Sequence, residues 1–335
     1  MIDHPRDLAA WQRWQDGRRP LRGVRRTLIR PAEVELVYGG PEPDLVVVVD
    51  AWHASVRAAI VAALPHLEPA RTLVAGPAGV ARQVPWQPAR VRSLRAGDVA
   101  QALAGARAVL GSGHHLEPGA TVHAAAASLG IPFLVAQHGL LTPKAPPLPP
   151  RAHLLAWSEA DAAFWTSGRD DVTWSVTGSQ LLVDAAAAAS EVADDRPVYL
   201  GQLHGAELPR PDLADAAESF CLAHHATYRP HPSERDRRSL RTHDRWRGLG
   251  IEVAAAGPPL REIGRPVVSV FSTGVLEAAA AGLPSYVDHP SAPDWLRDLW
   301  HRYDMQEYGG EPTPSPALHP EPARAVAAAL VEAAR

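Results

Sequence analysis

The chain has 335 residues, 46% of them apolar, which is enough to fill the cores of two ordinary domains. Its net charge of −4 gives no reason to expect nucleic acid or an anionic membrane surface as the main partner. The single cysteine, Cys221, excludes an internal disulfide framework and a cysteine-based zinc cluster. With Phe220 and Leu222 beside it, Cys221 reads as a core residue.

The N-terminus, Met-Ile-Asp-His-Pro-Arg, lacks the basic-then-apolar order of a secretion signal. No apolar run approaches the roughly 20 residues that span a bilayer. The expectation is a cytoplasmic protein without stable membrane insertion.

Residues 1–40 are arginine-rich and weakly patterned, with a short amphipathic helix expected over Asp7–Asp16 carrying Trp11 and Trp14. From Asp44 an alternation begins. Leu45-Val-Val-Val-Val49 reads as a fully buried strand, followed by a helix over Trp52–Leu64. Strands are predicted at Thr72–Ala75, Ala108–Leu110, Phe133–Ala136, Leu154–Trp157 and Trp174–Thr177, and helices at Gly97–Ala104, Thr121–Leu129 and Ser158–Ser167. Proline-dense Pro143–Pro150 reads as a stiff loop. After Gly178 the alternation pauses, and 183–195 reads as a helix, a linker, or one running into the other.

A second series then starts, with strands predicted at Pro197–Leu200, Ala226–Tyr228, Ile251–Ala254, Val267–Phe271 and Ser285–Val287. Continuous apolar strands separated by helices mean parallel sheets covered on both faces. The predicted class is α/β, with two Rossmann-type, doubly wound domains facing a central cleft. The boundaries are 1–183, a linker at 184–195, 196–318, and a last helical stretch at 319–335 packing back across the halves.

Open parallel sheets bind ligands at the carboxyl ends of their strands. In the second half, three loops occupy that position. Leu200-Gly-Gln-Leu-His-Gly205 offers Gly201 and Gln202, with glycines that give a ligand room at the backbone. Tyr228-Arg-Pro-His-Pro-Ser-Glu234 offers Arg229, His231 and Glu234. Ser272-Thr273-Gly274 opens a helix that carries Glu277 one turn in. Amide N–H groups and hydroxyls at a helix N-terminus suit a phosphate, and Arg229 adds a charge-assisted contact. Glu277 or Glu234 could accept from ribose hydroxyls.

In the first half the matching loop is Val135-Ala-Gln-His-Gly139, with Gln137 and His138 at the strand tip and Gly139 giving the turn room. A histidine there has an ordinary pKa suited to proton exchange near neutrality. His114 and Glu117 in Gly111-Ser-Gly-His-His-Leu-Glu117 follow the preceding strand, and Asp50 and His53 follow the first one. Among the 16 histidines no His-x-x-x-His or His-Glu-x-x-His spacing occurs, so neither a metal nor another cofactor is expected.

The segments Leu200-Gly-Gln202, His231-Pro-Ser-Glu234 and Phe271-Ser-Thr-Gly-Val-Leu-Glu277 resemble the GT-B superfamily of nucleotide-sugar enzymes. The His-Pro and Ser-Thr motifs are similar to those of bacterial sialyltransferases and polysialyltransferases. Gln137-His-Gly139 resembles a loop of capsule Kdo transferases, and His-Gly with Arg-Pro-His-Pro resembles the CDP-glycerol glycerophosphotransferases of teichoic acid synthesis. The resemblance implies metal-independent transfer of a sugar, or of glycerol phosphate, from a CMP- or CDP-activated donor to a cell-envelope glycan or related acceptor.

It also implies a donor domain over 196–318, with Gly201, Gln202, Arg229, His231, Ser272, Thr273, Gly274 and Glu277 at the donor. His138 would be the catalytic group, and Asp50, His53, His114, Glu117, Gln137 and Gly139 would lie on the acceptor side. The acidic-acidic-glycine tripeptide that carries the base in sialyltransferases is absent from the first half. A nucleotide-sugar 2-epimerase shares the His-Pro loop, but Ser272-Thr-Gly-Val-Leu-Glu-Ala278 has one glutamate where those enzymes have two, and their His-Arg-Arg-Glu loop is missing. A non-catalytic nucleotide-binding protein of the same fold is the third reading.

Overall fold

The computed structural model describes residues 7–18, 33–255 and 259–335. The chain divides into two compact units. One holds the described residues up to Leu181 together with His319–Arg335, and the other holds Leu182–Leu318.

The first unit is built on eight strands: β1 (Val34–Tyr38), β2 (Leu45–Val48), β3 (Thr72–Gly76), β4 (Arg90–Leu94), β5 (Ala108–Gly111), β6 (Phe133–Ala136), β7 (His153–Ala156) and β8 (Thr173–Val176). They lie in the order β4-β1-β3-β2-β5-β6-β7-β8. From β3 to β8 neighbours are parallel, with Val47 opposite both Val74 and Leu110. Only β1 runs against its neighbours, β3 and β4.

The helices are α1 (Leu8–Arg18), α2 (Ala54–Ala59), α3 (Ala96–Ala102), α4 (Gly119–Leu129) and α5 (Glu159–Trp165), and α6 (Gln180–Ala187) carries the chain across the boundary into the second unit. Successive strand residues point to opposite faces, so the apolar runs feed two cores. Val46, Val48, Val109 and Val135 pack with Val99 and Leu103 around α3, Val122 of α4 and Trp165 of α5. Leu45, Val47, Leu110 and Leu134 pack on the other side with Val56 of α2, Ile60 and Leu64.

The second unit carries β9 (Val198–Leu200), β10 (Thr227–Arg229), β11 (Val267–Ser269) and β12 (Ser285–Val287), with α7 (Arg210–His224), α8 (Arg237–Gly248), α9 (Thr273–Ala280) and α10 (Asp294–Arg302). Its sheet has the order β10-β9-β11-β12, all parallel. Val198, Leu200 and Val267 pack on Ala278 of α9. Tyr199 and Tyr228 contact Phe220 of α7 and Trp246 of α8. Cys221 is buried in α7, and burial pushes its thiol pKa up to about 12. The chain ends in α11 (Pro322–Ala333), whose Val326, Ala327 and Leu330 join the core around Val47 and Ile60.

Several expectations are corrected. Both β1 and β4 lie where no strand was predicted, because β4 is an exposed edge strand with charged side chains and β1 sits in the weakly patterned N-terminal stretch. The helix expected over 52–64 is an α-helix of six residues followed by a 3₁₀ turn, Val61–His66, that contains Pro65. Ile251–Ala254 is not a strand but a single bridge, Val253 to Tyr228. Within 183–195 the helix stops at Ala187.

The first four parallel-paired strands of each unit have the same spatial order: second, first, third, fourth in chain order. The chain therefore reverses its winding between β2 and β5 in one unit, and between β9 and β11 in the other. Those two switch points are where a doubly wound sheet leaves a crevice at its carboxyl edge.

Candidate functional site

At the first switch point stands Asp50, two residues beyond β2. Ser112, just after β5, donates its hydroxyl to Asp50 Oδ2 at 2.6 Å, so the contact spans the switch. Gly119 N–H, at the start of α4, donates to Oδ1 at 2.7 Å. A Cβ on Gly119 would lie 2.7 Å from Asp50 Oδ1 and 2.7 Å from the Gly113 carbonyl, so this helix start admits no side chain. Burial raises the Asp50 pKa to about 6; the bonds from Ser112 and Gly119 oppose the rise, and the Glu117 charge adds to it. The result is a fixed carboxylate that exchanges a proton near neutrality.

The neighbouring loops hold the other acceptor-side candidates. His53 sits at the N-cap position of α2 without a side-chain capping bond and contacts the Ser55 hydroxyl through Nδ1 at 3.0 Å. Its ring lies 6.1 Å from that of His138, centroid to centroid. Burial lowers the His138 pKa to about 4, His53 adding to the drop. This corrects the expectation of a histidine titrating near neutrality: His138 is a neutral imidazole, and its buried Nδ1 has no hydrogen-bond partner among the described residues.

Gln137 is the clamp of that loop. Its Nε2 donates to the Gly139 carbonyl at 3.1 Å and to Asp161 at 3.0 Å, and its Oε1 accepts from Trp157 N–H at 2.9 Å. A side chain so engaged positions His138 and leaves little for a ligand. His114 is buried against His123, at 4.9 Å between rings, and burial lowers its pKa to about 4. Glu117 is exposed and accepts from Thr121 at 2.6 Å.

In the second unit Gln202 spans the switch point. Its Oε1 accepts from the Ser269 hydroxyl at 3.1 Å and from Phe271 N–H at 3.0 Å, tying the β9 loop to the end of β11. Gly201 likewise has a packing cause. A Cβ there would collide with the Tyr228 hydroxyl and come 2.7 Å from Glu234 Oε1.

Glu234, expected as a ribose contact, is instead buried and fully used. It accepts from Leu203 N–H at 3.0 Å, the Tyr228 hydroxyl at 2.9 Å and His243 Nε2 at 3.0 Å. Burial would raise its pKa, but its hydrogen bonds outweigh that and hold the carboxyl down at about 2.

The remaining groups stand at the strand ends. His231 is exposed, and its ring stacks on His204 at 3.7 Å with 15° between planes. Ser233 N–H donates to His231 Nδ1 at 3.1 Å, so the neutral ring carries its proton on Nε2. Ser272 caps α9, its hydroxyl oxygen accepting from Gly274 N–H at 3.1 Å. A Cβ on Gly274 would lie 2.6 Å from the terminal methyls of Leu200 and Leu260, so a larger residue there requires both side chains to shift. Arg229 is half-buried; burial works against its charge and the nearby Glu277 carboxylate supports it.

Two participants escaped sequence reasoning: Ser112 and His204. His204 lies inside a loop the sequence marks, but Ser112 gains meaning only from the strand order that sets β5 beside β2. Among the described residues no group of three or more His, Cys, Asp or Glu is placed to hold a metal. No described helix is long and apolar enough to cross a membrane.

No family model matches the chain, and no curated protein matches it. Solved structures with a similar fold include the UDP-GlcNAc 2-epimerase of Methanocaldococcus jannaschii in complex with UDP-GlcNAc and UDP, at 9% identity and a TM-score of 0.42, covering 71% of this chain and 79% of that one. A second structure of that epimerase covers 81% of this chain and 88% of its own, at 9% identity and a TM-score of 0.41. A glycosyltransferase from Rickettsia africae covers 71% and 75%, at 10% identity and a TM-score of 0.40. At these identities and scores the likeness does not extend to activity.

Proposed function

We propose that the protein is a metal-independent glycosyl-type transferase that takes its donor as a cytidine nucleotide, with Asp50 as the general base. The observation that carries the reading is the Asp50 carboxylate at a switch point, held by Ser112 and Gly119 N–H and raised to about 6. A base works best when its pKa lies near the working pH. It also supplies the carboxylate that no acidic-acidic-glycine tripeptide provides.

In this reading an acceptor hydroxyl gives its proton to Asp50 as its oxygen attacks the donor carbon, and the bond from that carbon to the nucleotide phosphate breaks. Within the second unit, the candidates for holding a donor phosphate are the backbone N–H groups and the Thr273 hydroxyl at the α9 N-terminus, with Arg229 and His231. Glu277, one turn into α9, is the candidate for ribose hydroxyls. His138, neutral and fixed by the Gln137 clamp, contacts the substrates rather than taking the proton. The choice of cytidine rests on the His-Pro and Ser-Thr motif resemblance.

The test is donor turnover, screened with CMP-, CDP-, UDP- and GDP-activated sugars and CDP-glycerol. Asp50→Asn is expected to lower kcat/KM by about 10²–10⁴ and to abolish the rise of the wild-type rate through pH 6. His231→Ala and Thr273→Ala are expected to weaken donor binding. Full activity in Asp50→Asn removes the base assignment, and full activity in both other variants removes the donor site.

A further inference from the structure

The tripeptide His-Pro-Ser occurs twice in the second unit, as His231-Pro-Ser233 after β10 and as His289-Pro-Ser291 after β12. Both copies fold alike. Ser291 N–H donates to His289 Nδ1 at 3.3 Å, as Ser233 N–H does to His231 Nδ1 at 3.1 Å. A neutral imidazole that accepts at Nδ1 carries its proton on Nε2. Each turn therefore fixes a ring with a single N–H donor, at the two outer strands of the order β10-β9-β11-β12.

The second ring differs from the first in its burial and pairing. His289 is only 8% exposed, and its Nε2 has no hydrogen-bond partner among the described residues. Leaving a buried donor unpaired is costly, and the Ser291 contact is what keeps this one turned to Nε2. The first unit repeats the placement: His138 lies two residues beyond β6, the fourth parallel strand in chain order, as His289 lies two beyond β12. It too has a buried ring nitrogen without a partner.

We propose that His289 Nε2–H is a ligand contact that donates to a sugar hydroxyl of the nucleotide ligand; this rests on reading the second unit as nucleotide-binding. The surroundings select a hydroxyl over a phosphate. Asp212, in the first turn of α7, and Asp288 lie close enough for their charges to act on the His289 ring. A phosphate would face both carboxylates. A hydroxyl accepts from Nε2–H and donates its own proton to a carboxylate, so one group satisfies both sides. The phosphate belongs instead with Arg229, at the end of β10, and His231, two residues beyond it. Nε2 is shielded from solvent, so this contact requires the His-Pro-Ser turn to shift when the ligand binds.

The test combines imidazole ¹⁵N NMR of the full chain with calorimetric binding. Probes are CMP, 2′-deoxy-CMP, CDP, UDP, a CMP-activated sugar and inorganic pyrophosphate. The ribonucleotide is expected to move the His289 Nε2 resonance and pyrophosphate to leave it in place. A response to CMP that is lost with 2′-deoxy-CMP assigns the ribose, whereas a response only to the activated sugar assigns the transferred group. His289→Phe is expected to bind about 10- to 100-fold more weakly. His289→Gln, whose amide keeps a donor near the same place, is expected to recover most of the loss, with the unliganded melting curve of each variant as the check on folding.

Nucleotide binding by wild type that leaves His289 unmoved, or equal binding by His289→Phe, overturns the proposal alone. Movement by pyrophosphate overturns the choice of a hydroxyl. Absence of binding by every probe overturns the nucleotide reading and this proposal together.

Discussion

Asp50 carries an unfavourable charge for a reason its partners make clear. Two hydrogen bonds hold the carboxylate, yet burial still pushes its pKa from 3.8 up to about 6. Between these values the folded protein keeps a proton that the unfolded chain has lost. This residue therefore favours folding below about pH 4, and the advantage is lost as pH rises through 6.

Asp50→Asn should then be more stable than wild type at pH 8, by up to about 3 kcal/mol, and equal to it near pH 4. The amide can still accept from Gly119 N–H and donate to the Ser112 oxygen. Denaturant titrations at the two pH values measure the difference; a variant less stable at pH 8 would show that the charge is well solvated and not strained. Gain of stability with loss of activity is the pattern expected of a catalytic group.

The position of Asp50 was legible in the sequence, because a run of five apolar residues ends there. Its partner Ser112 was not, since nothing in the chain says that β5 returns beside β2. Gly201, Gln202 and Glu234 stand at the strand ends that the sequence marks, and each also meets partners within the protein that the sequence does not reveal.

Among the elements, those with continuous apolar runs were legible. The burial of both faces that makes β2 and β6 fully apolar is also what identifies them as parallel strands. By contrast β4, Arg90-Val-Arg-Ser-Leu94, pairs on one side only and is exposed along most of its length, so nothing demands apolar residues. Ile251–Ala254 misled for the opposite reason, being apolar enough for a strand while making a single bridge.

Among the helices, α4 shows how an element start sets the site. Pro118 and Gly119 open it, and Gly119 N–H is spent on Asp50. Gly119→Ala would press a methyl against the carboxylate and the Gly113 carbonyl. The expected cost is about 1–3 kcal/mol of stability and at least a tenfold loss of kcat/KM, with the pH dependence moved away from 6 because the carboxylate is displaced. An unchanged pH profile would mean that the backbone yields instead of Asp50, and that the α4 start does not position the base.

At the scale of the whole molecule, the first unit is discontinuous and the second is one stretch of chain. Helix α11 comes last in sequence but buries Val326, Ala327, Leu330 and Ala334 in the core that contains Val47, Val56 and Ile60. Gln180 caps its start by accepting from Ala323 N–H at 3.1 Å. Removing 319–335 deletes those side chains and exposes what they cover, which costs about 3–6 kcal/mol. That is a large part of a domain stability of about 5–15 kcal/mol.

The second unit keeps its own sheet and helices throughout, and every group assigned to the donor lies within it. Calorimetry should therefore show the truncated chain losing or sharply lowering one melting transition while the other persists. Added CMP should still raise the surviving transition, by about 2.7 kcal/mol at one hundred times Kd. If truncation abolishes the response to CMP while that transition remains, the donor site draws on the first unit and does not belong to the second alone.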